Sequence, residues 1–323
     1  MEETRAKHSD IIEGLTQLLN LFAELRYIYQ TDIHSPPHLA PQIDVPLLQR
    51  AGLEAEVIDL AQLLPALRNE VIWGYQEEGI EMIRHAKLAN YFVQPAGDCS
   101  EDFLNDMRWA DYTDKNKGLL PPSILRLTFP TYYYGINVLY DVSDQSIIEW
   151  CSLEYKKWQD CPRQPAKAFF SKILHKFRTL EYIPFFNPED WDEVPNRRVI
   201  EDPRIFQNTF IGGIRLPPDY QESLRRFRGT KQETYLRQLV NELNAWRKLY
   251  RDCGWDGAGT AFDAELFERK RIEWLRASND LLFDLGNWTE PPNPQSEEQR
   301  IAREEYFQRW EALWAEWVGD DAL

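Results

Sequence analysis

The chain has 323 residues, 43% of them apolar and 28% charged, which is enough apolar material for a sizeable core in one large domain or two ordinary ones. The net charge of −16 repels phosphate backbones and anionic lipid, so nucleic acid and membrane surfaces are disfavoured as partners. No apolar run approaches the roughly 18 residues a membrane-spanning helix needs, and the opening MEETRAKHSD lacks the basic-then-apolar pattern of a secretory signal, so the cytoplasm, or the nucleus, is the expected compartment.

The first expected element is a helix from Ser9 to Tyr29. Ile11, Leu15, Leu18, Phe22, Leu25 and Tyr29 form one apolar stripe, with Ser9 as N-cap. Ser35-Pro36-Pro37-His38 and Pro41 then force an extended connection. Asp44 starts a short helix with Pro46 in its first turn and Gly52 at its end. A second helix carries Val57, Leu60, Ala61 and Leu64. Strands are expected at Val71–Trp73, Tyr91–Val93, Ile124–Leu127, Ile136–Tyr140 and Ile147–Trp150, where β-branched and aromatic residues cluster. Asp141–Ser146 joins the last two as a hairpin loop, and the polar stretch 97–118 reads as a long loop.

An amphipathic helix follows near Pro165–Leu180. Phe169, Phe170, Ile173, Leu174 and Phe177 lie on one face, and Lys167, Lys172, Lys176 and Arg178 on the other. Residues 184–230 are proline-rich, with short strands at Val199-Ile200 and Phe210-Ile211. Helices return from Thr234 to Arg251, from near Thr260 to Leu285, and after the Ser296–Gln299 capping box. The expected class is α+β: a central antiparallel sheet flanked by N-terminal helices and a C-terminal helical region. Its sections are 1–68, 69–183, 184–230 and 231–323, gathered in one compact unit.

Chemical motifs are scarce. There is no phosphate-binding glycine loop and no G-x-S-x-G elbow. The four cysteines, Cys99, Cys151, Cys161 and Cys253, have neither zinc nor disulfide-scaffold spacing and read as buried free thiols. His34 and His38 are four apart, but Pro36 and Pro37 exclude the helix that would align them, so they read as part of a structured loop. Glu189-Asp190 with Asp192-Glu193 reads as a solvated acidic face. No residue is assigned a catalytic or metal-binding role, and no cofactor is implied.

Three groups are candidate binding residues. Trp310, Trp314 and Trp317 share one face of the last helix and could anchor a partner protein; docking on the chain's own sheet is the structural alternative. Arg225, Arg226, Arg228 and Lys231 form a basic cluster that could hold an anion or lie neutralised in a loop. Tyr132, Tyr133 and Tyr134 could stack on a sugar or pack on the sheet.

The stretch Leu120-Pro121-Pro122, Ile124-Leu125, Gly135–Val142 and Ile147–Trp150, followed by Phe169-Phe170, Ile173-Leu174 and Phe177, resembles Smi1/Knr4 (SUKH) domains over residues 60–182. His34–His38, Gly52–Ile58 and Leu249–Trp255 followed by Phe262 resemble a group of fungal proteins of unassigned activity. The first resemblance implies a non-catalytic binding module, the second a fungal intracellular protein. Residues 97–118 and the C-terminal helices depart from a minimal SUKH domain, and that family shares no catalytic residues to carry over.

The expected function is therefore a non-catalytic protein–protein interaction or regulatory module with another protein as partner. The alternative is a ligand-binding protein or an enzyme, carbohydrate-directed. A purely structural subunit is a third reading, and oligomeric state is left open.

Overall fold

The computed structural model describes residues 1–40, 42–68, 80–83, 85–89, 91, 108, 118–130, 135–151, 157–187, 196–201, 210–211, 214–215, 231–282, 308 and 312. The fold is α+β, and the chain divides into two compact units: residues 1–177 with 184–199, and residues 178–183 with 200–323.

In the first unit, helix α1 (Glu2–Lys7) precedes the expected long helix, α2 (Ser9–Glu24). The N-cap of α2 is His8 and not Ser9, and its side chain makes no cap bond. That imidazole is turned inward and buried. The apolar stripe of α2 is buried as its spacing requires, but regular helix stops at Glu24 because Arg26 adopts φ +58. Tyr27 is then buried, and its hydroxyl accepts the Glu81 amide at 3.1 Å.

Strand β1 (Ile33–His34) leads into the proline loop. Helix α3 (Val45–Arg50) is capped by Asp44, whose carboxylate accepts the Leu47 amide at 2.9 Å. Helix α4 (Ala55–Leu63) follows, and β2 (Ala66–Leu67) returns to pair with β1. The His34/His38 loop closes on itself. His38 is fully buried, its Nε2 donates to the Leu64 carbonyl at 2.8 Å, and its carbonyl accepts from Gln62. Burial, partly offset by that bond, lowers the His38 pKa and favours the neutral ring.

Strands β3 to β9 form two antiparallel sheets. Strands β3 (Glu81–Ile83), β4 (Ala86–Leu88) and β6 (Thr128–Pro130) make the first, in the order β3-β4-β6. Strands β5 (Ile124–Arg126), β7 (Ile136–Asp141), β8 (Ser146–Cys151) and β9 (Arg163–Pro165) make the second, in the order β5-β7-β8-β9. The expected strand at Ile124–Leu127 thus divides at Leu127 and feeds both sheets. The Thr128 hydroxyl bridges the division: it donates to the Ile136 carbonyl at 2.9 Å and accepts the Val138 amide at 2.8 Å. The β7–β8 hairpin turns as expected, with Leu139 opposite Ile148 and Asp141 opposite Ser146. Leu120, Ile124, Leu139, Ile148, Trp150, Trp158 and Cys161 form an apolar cluster.

Helix α5 (Ala166–Arg178) buries the five apolar residues expected of it. It meets α2 at two points. An ideal Cβ on Gly14 would lie 2.4 Å from the Phe170 ring, and the Phe22 and Phe177 rings are edge-to-face at 4.9 Å. Both sequences ascend between the two contacts, so the helices run side by side in the same direction. Strand β10 (Tyr182–Asn187) pairs with β11 (Asn196–Glu201), in part of the segment expected to be a proline-rich connection.

In the second unit, β12 (Phe210–Ile211) and β13 (Ile214–Arg215) form a hairpin, and α6 (Lys231–Asp252) and α7 (Ala264–Leu282) follow. Helix α7 starts four residues later than expected, because the Asp263 carboxylate caps it by accepting the Leu266 amide at 2.9 Å. Helix α6 ends in a left-handed Gly254, φ +88, with the Trp255 amide bonded back to the Tyr250 carbonyl at 3.0 Å. Asp256 then pins the loop by accepting the Ala258 and Gly259 amides and the Thr260 hydroxyl, each at 2.9 Å. Tyr250 stacks on Phe267 at 4.3 Å, joining α6 to α7. The described tryptophans, Trp150, Trp158, Trp246, Trp255 and Trp274, are all buried.

Two glycine substitutions test this packing. Helix propensity alone would make Gly14→Ala stabilising by about 1 kcal/mol. The overlap with Phe170 outweighs that, so Gly14→Ala should destabilise by about 1–3 kcal/mol in denaturant melts. Gly254→Ala should cost about 3 kcal/mol or more, since its Cβ would lie 2.2 Å from the Ala261 carbonyl oxygen at a positive φ.

Candidate functional site

Most of the candidate binding residues singled out from sequence lie outside the described part of the structure. That holds for Trp310, Trp314 and Trp317, for Tyr132, Tyr133 and Tyr134, and for Arg225, Arg226 and Arg228. It also holds for Glu189-Asp190, Asp192-Glu193, Cys99 and the expected strand at Val71–Trp73. Lys231 opens helix α6, and its side chain is likewise outside the description. Of the other cysteines, Cys161 and Cys253 are buried and Cys151 is half-buried, and all three are free.

A different site forms at the turn end of the β7–β8 hairpin. It begins with His8, at the break between α1 and α2. The break frees its side chain from the helix surface, and the ring enters the unit. Nε2 lies 2.9 Å from Glu56 Oε1 on α4, and Nδ1 lies 2.7 Å from the Tyr140 hydroxyl on β7. A carboxylate only accepts, so Nε2 carries a hydrogen, and in the Nε2–H tautomer Nδ1 accepts the Tyr140 proton. Lys7 donates to the same Glu56 oxygen. That bond holds the Glu56 carboxyl below its usual range, opposed by partial burial and aided by His8.

The second half of the site is the turn itself. Asp141 accepts the Ser143 amide at 3.0 Å, and Asp144 accepts the Ser146 amide at 3.1 Å, so both carboxylates shape the turn. Arg163, on the neighbouring β9, donates to Asp141 at 2.9 Å, to Asp144 at 2.5 Å and to the Ser146 hydroxyl at 3.2 Å. The Ser146 hydroxyl in turn donates to Asp144. The two carboxylates raise the Arg163 pKa against a partial burial cost, which fixes its charge.

Between these halves lies a cavity of about 270 Å³, lined by Lys7, His8, Asp10, Tyr140, Asp144, Gln145, Ser146, Arg163, Gln164, Pro165 and Ala166. Tyr140 is 1% exposed. Burial, then the charges of Asp10, Glu56, Asp144 and Asp141, push its phenol well above the ordinary value. The order carboxylate–imidazole–hydroxyl is that of a hydrolase triad, but the phenol is disfavoured as an anion, opposite to what a nucleophile needs. The arrangement presents a fixed hydrogen-bonding surface. A second cavity, of about 30 Å³ beside Arg126 and Tyr91, has room for about one water.

No short motif marks these residues. His8 is 48 positions from Glu56 and 132 from Tyr140. The one local signal was the hairpin loop Asp141–Ser146, read as a connection and not as a site. Comparison with protein-family models, with curated proteins and with solved structures gave no match in any of the three. No helix among the described residues is long and apolar enough to cross a membrane.

The Glu56 shift predicts a pH dependence. Its carboxyl is more acidic folded than unfolded, so its stabilising contribution is present above the ordinary carboxylate range. That contribution is lost as pH falls through the lower, folded value. Urea melts between pH 7 and pH 3 should therefore show a shallower acid-side loss of stability for Glu56→Gln than for the wild type.

Proposed function

We propose that the chain is a non-catalytic protein–protein interaction or regulatory module, acting in the cytoplasm or nucleus, and that the cavity at the β7–β8 turn is its recognition site. One observation carries the reading: the polar groups around the cavity hold one another in place. Glu56 orients His8, His8 orients the Tyr140 hydroxyl, and Arg163 clamps Asp141, Asp144 and Ser146. Such an array is pre-organised, which lowers the ordering cost of association. The raised phenol pKa disfavours nucleophilic chemistry at its centre. The SUKH resemblance, which implies a binding module, agrees with this reading, and the net charge of −16 favours a protein partner over nucleic acid.

The test is a capture experiment with the immobilised full chain and lysate, read by quantitative mass spectrometry. Asp10 lines the cavity and is exposed, so Asp10→Arg reverses a rim charge without touching the core. A stoichiometric partner should be recovered by the wild type and fall by about tenfold with an Asp10→Arg variant of equal melting temperature. Recovery of the same proteins by both chains, or a wild type that elutes alone, removes the reading.

A further inference from the structure

Building on the interaction reading above, we infer that the cavity receives the ammonium group of a lysine side chain from the partner protein.

Hydrogen-bond accounting comes first. Glu56 places a hydrogen on His8 Nε2, and in that tautomer Nδ1 takes the Tyr140 proton. The phenol oxygen therefore offers only lone pairs to the cavity it lines. The Ser146 proton is committed to Asp144, so that oxygen also accepts. Asp144 and Asp10 are acceptors by nature. The two cationic donors in the lining are already paired: Lys7 with Glu56, and Arg163 with Asp141, Asp144 and Ser146. The Gln164 amide is spent on Glu149, which leaves Gln145 as the remaining amide in the lining. Tyr140, Ser146, Asp144 and Asp10 thus present acceptors to the cavity, and the component these four lack is a donor.

Charge points the same way. Asp10, Glu56, Asp141 and Asp144 all act on the Tyr140 phenol, while Lys7 and Arg163 are the cations among the lining residues. In the lining itself Asp10 and Asp144 face Lys7 and Arg163, and the carboxylates of Glu56 and Asp141 stand behind as partners of those two cations, so acids outnumber bases around the floor. Ionisation of Tyr140 is opposed first by burial and then by those four carboxylates. A cation entering the cavity replaces some of its lost water with these oxygens.

Shape selects the cation. About 270 Å³ lies just under the roughly 300–1,000 Å³ of ordinary small-molecule sites, and suits one side chain. Among the described residues the only aromatic rings lining the cavity are Tyr140 and the His8 imidazole, too few to form the cage a quaternary ammonium needs. A planar guanidinium prefers a carboxylate fork, and Arg163 already binds Asp144. A primary ammonium has three donors on a flexible stem, which matches acceptors arriving from β7, β8 and α2.

The test is calorimetric titration of the full chain with a neutral Gly/Ser pentapeptide bearing one central lysine. The counterparts carry acetyl-lysine or norleucine at that position, and 1,5-diaminopentane serves as a free amine. The lysine peptide should bind at least about tenfold more tightly than the acetyl-lysine and norleucine peptides. Tyr140→Phe keeps the ring and removes the acceptor, and should weaken the lysine peptide by about tenfold. Asp10→Asn is the second variant; it lies outside the core and should weaken binding with the melting temperature unchanged. Equal binding of the lysine and norleucine peptides, or no binding of either, overturns the assignment. Diaminopentane binding as tightly as the peptide overturns the partner protein as the source. If a captured partner depends on Asp10 while the lysine peptide is inert, the interaction reading survives and the lysine assignment falls.

Discussion

The close approach of α2 to α5 sets the geometry of the first unit. Gly14 has no side chain at the point where the Phe170 ring lies against the helix backbone, and about two turns further on Phe22 meets Phe177 edge-to-face. Contacts this close leave little room for sliding, because a packed interior resists even the addition of one methyl group. The N-terminal helix is thereby held beside a helix more than 150 positions away in sequence. With α2 fixed, the residue at its start, His8, has a defined position against the end of β7.

That placement turns three ordinary polar residues into a relay. A buried imidazole, phenol or partly buried carboxylate is costly without partners and stabilising with them. His8, Tyr140 and Glu56 supply each other's partners from three elements: the α1–α2 break, β7 and α4. The relay joins the helical section to the sheet as well as forming one wall of the cavity. Arg163 does the same for the opposite wall, tying β9 to the turn that Asp141 and Asp144 shape. Its ion pairs are about a third exposed on the Arg163 side, so they fix geometry more than they add stability.

The second unit is held by more local means. Its helix end, its pinned loop and the cap of its next helix all fall between Tyr250 and Phe267. Tyr250, Trp255, Phe262 and Phe267 pack as one aromatic group around that loop. Trp255 also donates its indole N–H to the Arg178 carbonyl at 3.1 Å, and Arg247 donates to the Leu180 carbonyl at 2.9 Å, which secures the segment 178–183 within this unit.

What could be read from the sequence is what short range decides. Apolar spacing marked α2, α5 and α6, Asp44 marked the start of α3, and β-branched runs around a polar turn marked the β7–β8 hairpin, because each signal sits within one or two turns of chain. Short or polar strands escaped: β3, β4 and β9 have three residues each, too few for alternation to show. The helix break at His8 escaped too, since Ser9 is the better capping residue by type and only the inward hydrogen bonds favour His8. The site was out of reach for the same reason. His8, Glu56, Tyr140 and Arg163 carry no common motif, and each alone reads as a routine core or surface residue. Sequence determined an acidic α+β chain and most of its long elements. Tertiary packing alone decided that His8, Tyr140 and Arg163 line one cavity with Glu56 behind His8, because these groups meet only after α2, α4 and the hairpin have been brought together.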